Sequence, residues 1–158
     1  MIKISGVVRE SIVDGDGLRF VLFVQGCPHH CRGCHNPQTW NLSGGKWVSE
    51  SDIIHQISDN PLLDGVTFSG GEPFFLKENE QGLVEIAKQV HKMGKTVWCY
   101  TGYLYEEIKD RELTKHIDVL VDGPFVEKLK CYSGFRGSTN QRIIKLDNVV
   151  KVWARSCF

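Results

Sequence analysis

Four short apolar runs, each closing on glycine, set the frame of this sequence: LRFVLFVQG at 18–26, GVTFSGG at 65–71, KTVWCYTG at 95–102 and IDVLVDG at 117–123. Each is rich in β-branched or aromatic residues and short enough for a strand. Several are apolar on both alternating faces, as strands of a buried parallel sheet are. Helical periodicity fills the intervals. SESDIIHQIS opens with Ser49, carries Asp52 three residues on as a capping box does, and sets Ile53, Ile54 and Ile57 on one face. Over 79–93, Leu83, Ile86, Ala87, Val90 and Met93 form one stripe, with Gly94 behind them as a C-cap. YLYEEIKD predicts a third, shorter helix. Strand alternating with helix predicts an α/β fold of mainly parallel strands joined by crossover helices. A full eight-unit barrel needs about 250 residues. At 158 residues the chain predicts an incomplete (β/α) barrel, in a single domain over 1–158.

In such folds the loops leaving the carboxyl ends of the strands build the site. CPHHCRGC at 27–34 follows the first run and SGGEP at 69–73 the second; TGY and DGP follow the third and fourth. All the unusual sequence therefore falls on one rim. The stretch 26–47 has little regular pattern, and a loop that long in a compact domain is usually functional or disordered. Within it GGKWVS reads as a turn leading into a helix, with Trp47 packed beneath. Asp14 and Asp16 in VDGDG read first of all as a turn.

Lys plus Arg equals Asp plus Glu at 19 each, and a chain of zero net charge lacks the electrostatic footprint of a nucleic-acid binder. No apolar run approaches the roughly 20 residues of a membrane helix. MIKISGVVRE lacks the order of a signal peptide. The expectation is a cytoplasmic protein, where thiols stay reduced and clustered cysteines point to metal or redox chemistry. Cys27, Cys31 and Cys34 supply three thiolates. Structural zinc would need a fourth ligand, which His29, His30 or His35 could provide. An iron–sulfur cubane is usually held by four thiolates; three leave one iron open, a defect in an electron carrier but what a catalyst wants. Cys99, inside a strand, reads as a small hydrophobe. Cys131 and Cys157 read as bystanders, with Cys131 able to approach the rim. In SGGEP the glycines let backbone approach a ligand closely, and Glu72 can pair with an ammonium group. On these residues alone, a zinc-stabilised binding module and a catalytic iron–sulfur protein both stand.

CxxxCxxC after one strand with GGE after the next resembles the radical S-adenosylmethionine superfamily. VDGDGLRFVLFVQGC at 13–27, CHNPQTWNLSGGK at 34–46 and TFSGGEP at 67–73 resemble its branch of glycyl-radical-enzyme activating enzymes. WCYTGY at 98–103, VDGPF at 121–125 and RGSTNQR at 136–142 resemble the small subgroup acting on anaerobic ribonucleoside-triphosphate reductase. The resemblance implies a radical S-adenosylmethionine barrel with a [4Fe–4S] cluster on Cys27, Cys31 and Cys34. The fourth iron would be chelated by S-adenosylmethionine. Gly70, Gly71 and Glu72 would receive its amino group, Gly33, Cys34 and His35 would lie on its adenosine side, and Thr101 and Asp122 would sit on the cofactor rim. The activity implied is reductive cleavage of S-adenosylmethionine to a 5′-deoxyadenosyl radical. That radical abstracts hydrogen from a glycine of the reductase, with a flavodoxin or ferredoxin as electron donor. Many superfamily members carry an aromatic residue where this chain has Gly33, which makes His35 the expected adenine contact. Arg136 and Arg142 frame a turn where two guanidinium forks could clamp a carboxylate. Activators of pyruvate formate-lyase share the same front half and are the alternative within this chemistry.

Overall fold

The computed structural model describes residues 1–147. Seven strands, β1 (Ile2–Ser11), β2 (Arg19–Val24), β3 (Lys46–Val48), β4 (Gly65–Gly70), β5 (Thr96–Tyr100), β6 (Val119–Asp122) and β7 (Arg142–Lys145), form one sheet in the order β3-β1-β2-β4-β5-β6-β7. The four glycine-ended runs are β2, β4, β5 and β6, and they lie side by side in parallel. Among the described residues the two edges of the sheet do not pair, so the barrel is incomplete. Three further strands flank this parallel core and are antiparallel: β1 on β2, β3 on β1, and β7 on β6.

The helices are α1 (Glu50–Ser58), α2 (Lys77–Lys92) and α3 (Tyr105–Ile108). Ser49 caps α1, its hydroxyl accepting from the Asp52 N–H at 3.2 Å. After α2, Gly94 sits at φ +74, and its N–H bonds to the His91 carbonyl. Ile53 and Ile57 of α1 and Leu83, Ile86, Ala87 and Val90 of α2 pack on one face of the sheet. They meet Phe20, Leu22 and Val24 of β2, Val66 and Phe68 of β4, Val97 and Cys99 of β5, and Leu120 of β6. Burying each large aliphatic or aromatic side chain contributes about 1.5–3 kcal/mol, which holds this face shut. Cys99 is the small hydrophobe expected.

Strand alternation sends the intervening residues to the opposite, concave face: Arg19, Val21 and Phe23 from β2, Thr67 and Ser69 from β4, Trp98 and Tyr100 from β5. One local expectation is corrected here. GGKWVS does not lead from a turn directly into a helix; Lys46–Val48 is an edge strand on β1. Trp47 is 49% exposed rather than packed beneath, with the Lys3 ammonium 5.8 Å above its ring. Val48 on the same strand packs against the core, and strand alternation turns Trp47 to the other side.

Candidate functional site

At the carboxyl ends of the parallel strands a cleft of about 410 Å³ opens, within the range of small-molecule and cofactor sites. Strand ends contribute Phe23, Ser69, Gly70, Tyr100 and Thr101; the cysteine loop contributes Cys27, Cys31, Cys34 and His35; the chain after β6 contributes Phe125, Cys131 and Phe135. Three of the four rim segments read from the sequence, together with Gly123 of DGP, do converge on one space.

All three cysteines are free thiols, half-buried. Their loop is pinned at both ends. The Gly26 N–H donates to the Thr39 carbonyl at 2.7 Å, and the Cys34 N–H donates to the Cys31 carbonyl at 3.1 Å. The Asn36 N–H donates to the Cys34 sulfur at 3.3 Å. Burial pushes the Cys27 thiol up to about 11, so without metal it holds its proton. Metal binding would displace that proton. Gly33 lies at φ +76 with Glu127 filling the space a Cβ would occupy, so its role is to let the loop turn between Cys31 and Cys34. It does not line the cleft.

Glu72 lies at the floor and is 1% exposed. Four donors converge on its carboxylate. Thr101 Oγ1 at 2.8 Å and the Phe74 N–H at 3.2 Å meet Oε1. The Gly102 N–H at 2.9 Å and His29 Nε2 at 2.7 Å meet Oε2. Thr101 and Glu72 are therefore joined to each other at the cleft edge. Gly70 turns at φ +88, where a Cβ would press on the Phe23 backbone at 2.8 Å. The Gly71 and Glu72 N–H groups bond the Val24 and Gly26 carbonyls at 2.9 and 2.8 Å. The GGE segment is thereby stitched to the start of the cysteine loop.

Asp122, expected on the rim, does not line the cleft. It is fully buried, accepting from the Tyr105 N–H at 2.7 Å and from Arg142 Nε at 3.0 Å and Nη2 at 2.5 Å. Arg142 also forks onto Glu106, so it is consumed by β6 and α3 and makes no clamp with Arg136. Arg136 does line the cleft, with its guanidinium on the carbonyls of Thr139 and Gln141. His35 lines it too, tilted against Phe125 with ring centroids 5.3 Å apart. His30 stacks on Trp40 at 4.7 Å and does not line the cleft.

Sequence reasoning passed over Tyr100, Phe125 and Phe135 as cleft residues; Cys131, read as a bystander able to approach the rim, lines the cleft. Only the aromatic character of WCYTGY and DGPF hinted at Tyr100 and Phe125. The Tyr100 hydroxyl donates to the Phe135 carbonyl at 2.6 Å, which draws the loop carrying Cys131 over the strand ends. Cys157 lies outside the described residues.

The donor set is one that a cluster can use. Three thiols line one space, and the nearby His29 is engaged by Glu72. A structural zinc needs four ligands closed on one point, whereas a multi-iron cluster takes one thiolate per iron from dispersed positions.

A half-open parallel sheet with such a loop at its carboxyl edge is the architecture of an iron–sulfur protein, and the family model for the 4Fe-4S single cluster domain matches residues 13–144. The anaerobic ribonucleoside-triphosphate reductase-activating protein of Enterobacteria phage T4 is 37% identical over 145 residues, 89% of this chain and 91% of that one. Its counterparts in Escherichia coli K12 and Vibrio cholerae are each 38% identical, over 82% and 84% of this chain and 90% of theirs. Among solved structures, QueE from Escherichia coli is 20% identical over 64% of this chain and 52% of its own, at a TM-score of 0.48. The chain belongs to the 4Fe-4S single cluster domain family, on the branch of the anaerobic ribonucleoside-triphosphate reductase-activating proteins. No helix among the described residues is long and apolar enough to cross a membrane.

Proposed function

We propose that this protein is the radical S-adenosylmethionine activase of an anaerobic ribonucleoside-triphosphate reductase. The observation that carries the reading is the meeting of Cys27, Cys31 and Cys34 with Gly70–Glu72 and Thr101 in one cleft. Cys27, Cys31 and Cys34 would hold three irons of a [4Fe–4S] cluster and leave the fourth for S-adenosylmethionine. When bound, the cluster supplies the electron that cleaves S-adenosylmethionine to methionine and a 5′-deoxyadenosyl radical, which takes a hydrogen atom from a glycine of the reductase.

The chain's own residues then bind and orient. The Glu72 carboxylate already carries four donors, as many as its lone pairs accept, so an incoming ammonium group would meet the Gly70–Gly71 backbone first. His35 with Phe125 offers an aromatic wall for the adenine, and Cys34 lies beside them. The reductase, a protein substrate, needs an open cleft, and its own surface would complete the exclusion of water. A flavodoxin or ferredoxin in the cytoplasm would supply the electron.

The test is anaerobic reconstitution of the full chain with iron and sulfide, reduction, addition of S-adenosylmethionine and assay for 5′-deoxyadenosine, with Cys31→Ala alongside. Product from the native chain and none from the variant supports the reading. A colourless protein that retains zinc and yields no product overturns it in favour of a zinc-stabilised module.

A further inference from the structure

We infer that His29 is a positioning residue that locks the cysteine loop onto the Gly70–Glu72 floor and so sets how S-adenosylmethionine meets the cluster; this rests on the function proposed above. His29 lies between two of the three cysteines. It is two residues from Cys27 and two from Cys31. Its side chain reaches the floor, Nε2 lying 2.7 Å from Glu72 Oε2. Backbone N–H groups and a hydroxyl already donate to this carboxylate, and a carboxylate only accepts, which puts the imidazole proton on Nε2. A residue inside the cysteine loop thus touches the cofactor floor with its ring. Among the described residues, no other residue of 28–30 hydrogen-bonds to a different segment of the chain.

The ring is held on two further sides. Tyr103 meets it edge-on, with centroids 4.6 Å apart at 73°. Gly102 lies flush against it: a Cβ there would stand 2.6 to 2.9 Å from Cδ2, Nε2 and Cγ. The backbone at Gly102 is outside the left-handed region, so conformation does not demand glycine there. The space does. The T-G-Y segment that follows β5 is therefore shaped around a histidine of the cysteine loop. Thr101 and the Gly102 N–H place Glu72 from one side and His29 fastens it from the other. Electron transfer to a bound sulfonium compound needs the two partners held in one geometry, and a displacement of about 1 Å can cost on the order of a hundredfold in rate. A clasp joining the two loops supplies that.

Four variants of the full chain, reconstituted anaerobically, test the clasp: His29→Ala, His29→Gln, Gly102→Ala, and His29→Ala with Gly102→Ala. Iron and sulfide per chain, the electron paramagnetic resonance spectrum of the reduced cluster with and without S-adenosylmethionine, and KM and kcat for 5′-deoxyadenosine are read for each. We expect iron and sulfide near the native content in all four. His29→Ala should lose the change in spectrum that S-adenosylmethionine produces in the native protein at the same concentration. Its KM should rise on the order of tenfold or more, the scale of one lost hydrogen bond to a charged group. His29→Gln, whose amide can donate to Glu72, should recover most of both. Gly102→Ala should reproduce His29→Ala by pushing the ring aside, and the double variant should be no worse than His29→Ala, because the contact is broken once only. The inference is overturned if His29→Ala keeps the spectral change with KM within about twofold of native, or if its only defect is failure to bind iron, which would make the residue a loop-folding element. Additive losses in the double variant overturn it equally. Should His29→Ala not fold, Gly102→Ala alone decides between these outcomes. A native protein that binds iron but yields no 5′-deoxyadenosine would instead sink the proposed function, and the clasp with it.

Discussion

Two buried charges sit at opposite ends of the same concave face. Glu72, at the carboxyl edge, takes its four donors from the cysteine loop, its own turn and the segment after β5. Arg19, at the start of β2, is equally buried at 1% exposure. Its guanidinium donates to Thr67 Oγ1 at 2.8 Å, the Val66 carbonyl at 2.8 Å, the Asp16 and Thr96 carbonyls at 2.9 Å and Thr96 Oγ1 at 3.1 Å. All five acceptors are neutral, and burial lowers its pKa to about 10 while keeping it charged at neutral pH. Trp98 covers it, 5.7 Å from the guanidinium carbon to the ring. Arg19 gathers strands and turns into a closed plug. Glu72 gathers loops around an opening. A half-barrel uses one buried ion to shut its rear and another to shape its front, and substitutions at the two ends should fail in different ways.

The largest contrast is at the front. Cys34→Ala should bring 5′-deoxyadenosine formation to background while leaving the thermal unfolding of the metal-free chain within about a degree of native, since a half-buried thiol contributes little packing. A large loss of metal-free stability would mean that the loop is part of the core. The rear should show the reverse. Arg19→Met leaves one buried and two part-buried carbonyls without this donor and should destabilise the metal-free chain by about 3 kcal/mol, a fall in Tm of roughly 6–12 °C, with KM for S-adenosylmethionine little changed. A KM defect at native stability would dissolve the distinction between the two ends.

Asp122 sharpens the comparison, because its sequence position puts it on the rim while its contacts bind it to Arg142 and the start of α3. Asp122→Asn should therefore behave like a rear substitution, losing about 1–3 kcal/mol of stability with the KM for S-adenosylmethionine unaffected. Titration calorimetry or kinetics showing weaker cofactor binding would return it to the front group.

The smallest effect concerns neither end. His116 is buried beside α2, its Nε2 3.2 Å from Glu112 Oε1, and its pKa is lowered by burial, only partly offset by that bond. Lys88 and His91 add repulsion against charging it. The folded state therefore binds this proton less readily than the unfolded state does. Its contribution to stability is complete above the ordinary histidine pKa, about 6.5, and is lost as pH falls from there toward the lowered folded value. Chemical denaturation of the metal-free chain should show midpoints falling from pH 7 to pH 5, with a shallower fall in His116→Gln.

Much of this was legible in the chain. The four parallel strands announced themselves because most of their residues are buried and several of the runs are apolar on both alternating faces, and because a glycine ends each where the rim begins. The antiparallel strands did not. β1 carries Gly6 and two irregularities of register, β3 has three residues, and β7 is mostly exposed, so none shows a clean period. Cys131 could be read only as able to approach the rim, for a different reason. Its own neighbourhood is a polar loop, and it reaches the cleft through a bond made by Tyr100 to Phe135.

By itself the sequence determined the set of reacting groups: three thiols within eight residues, and a glycine pair with a carboxylate at the end of a strand. Covalent spacing dictates which groups must lie close together, and strand periodicity dictates which edge they share. Only the tertiary structure decided the partners. Glu72 finds His29 across 43 positions and Thr101 across 29, while Asp122, two strands away, turns to Arg142. A buried polar group must be satisfied by whatever donors packing brings to it. That choice depends on which loops the sheet order places side by side, and nothing local in the chain encodes it.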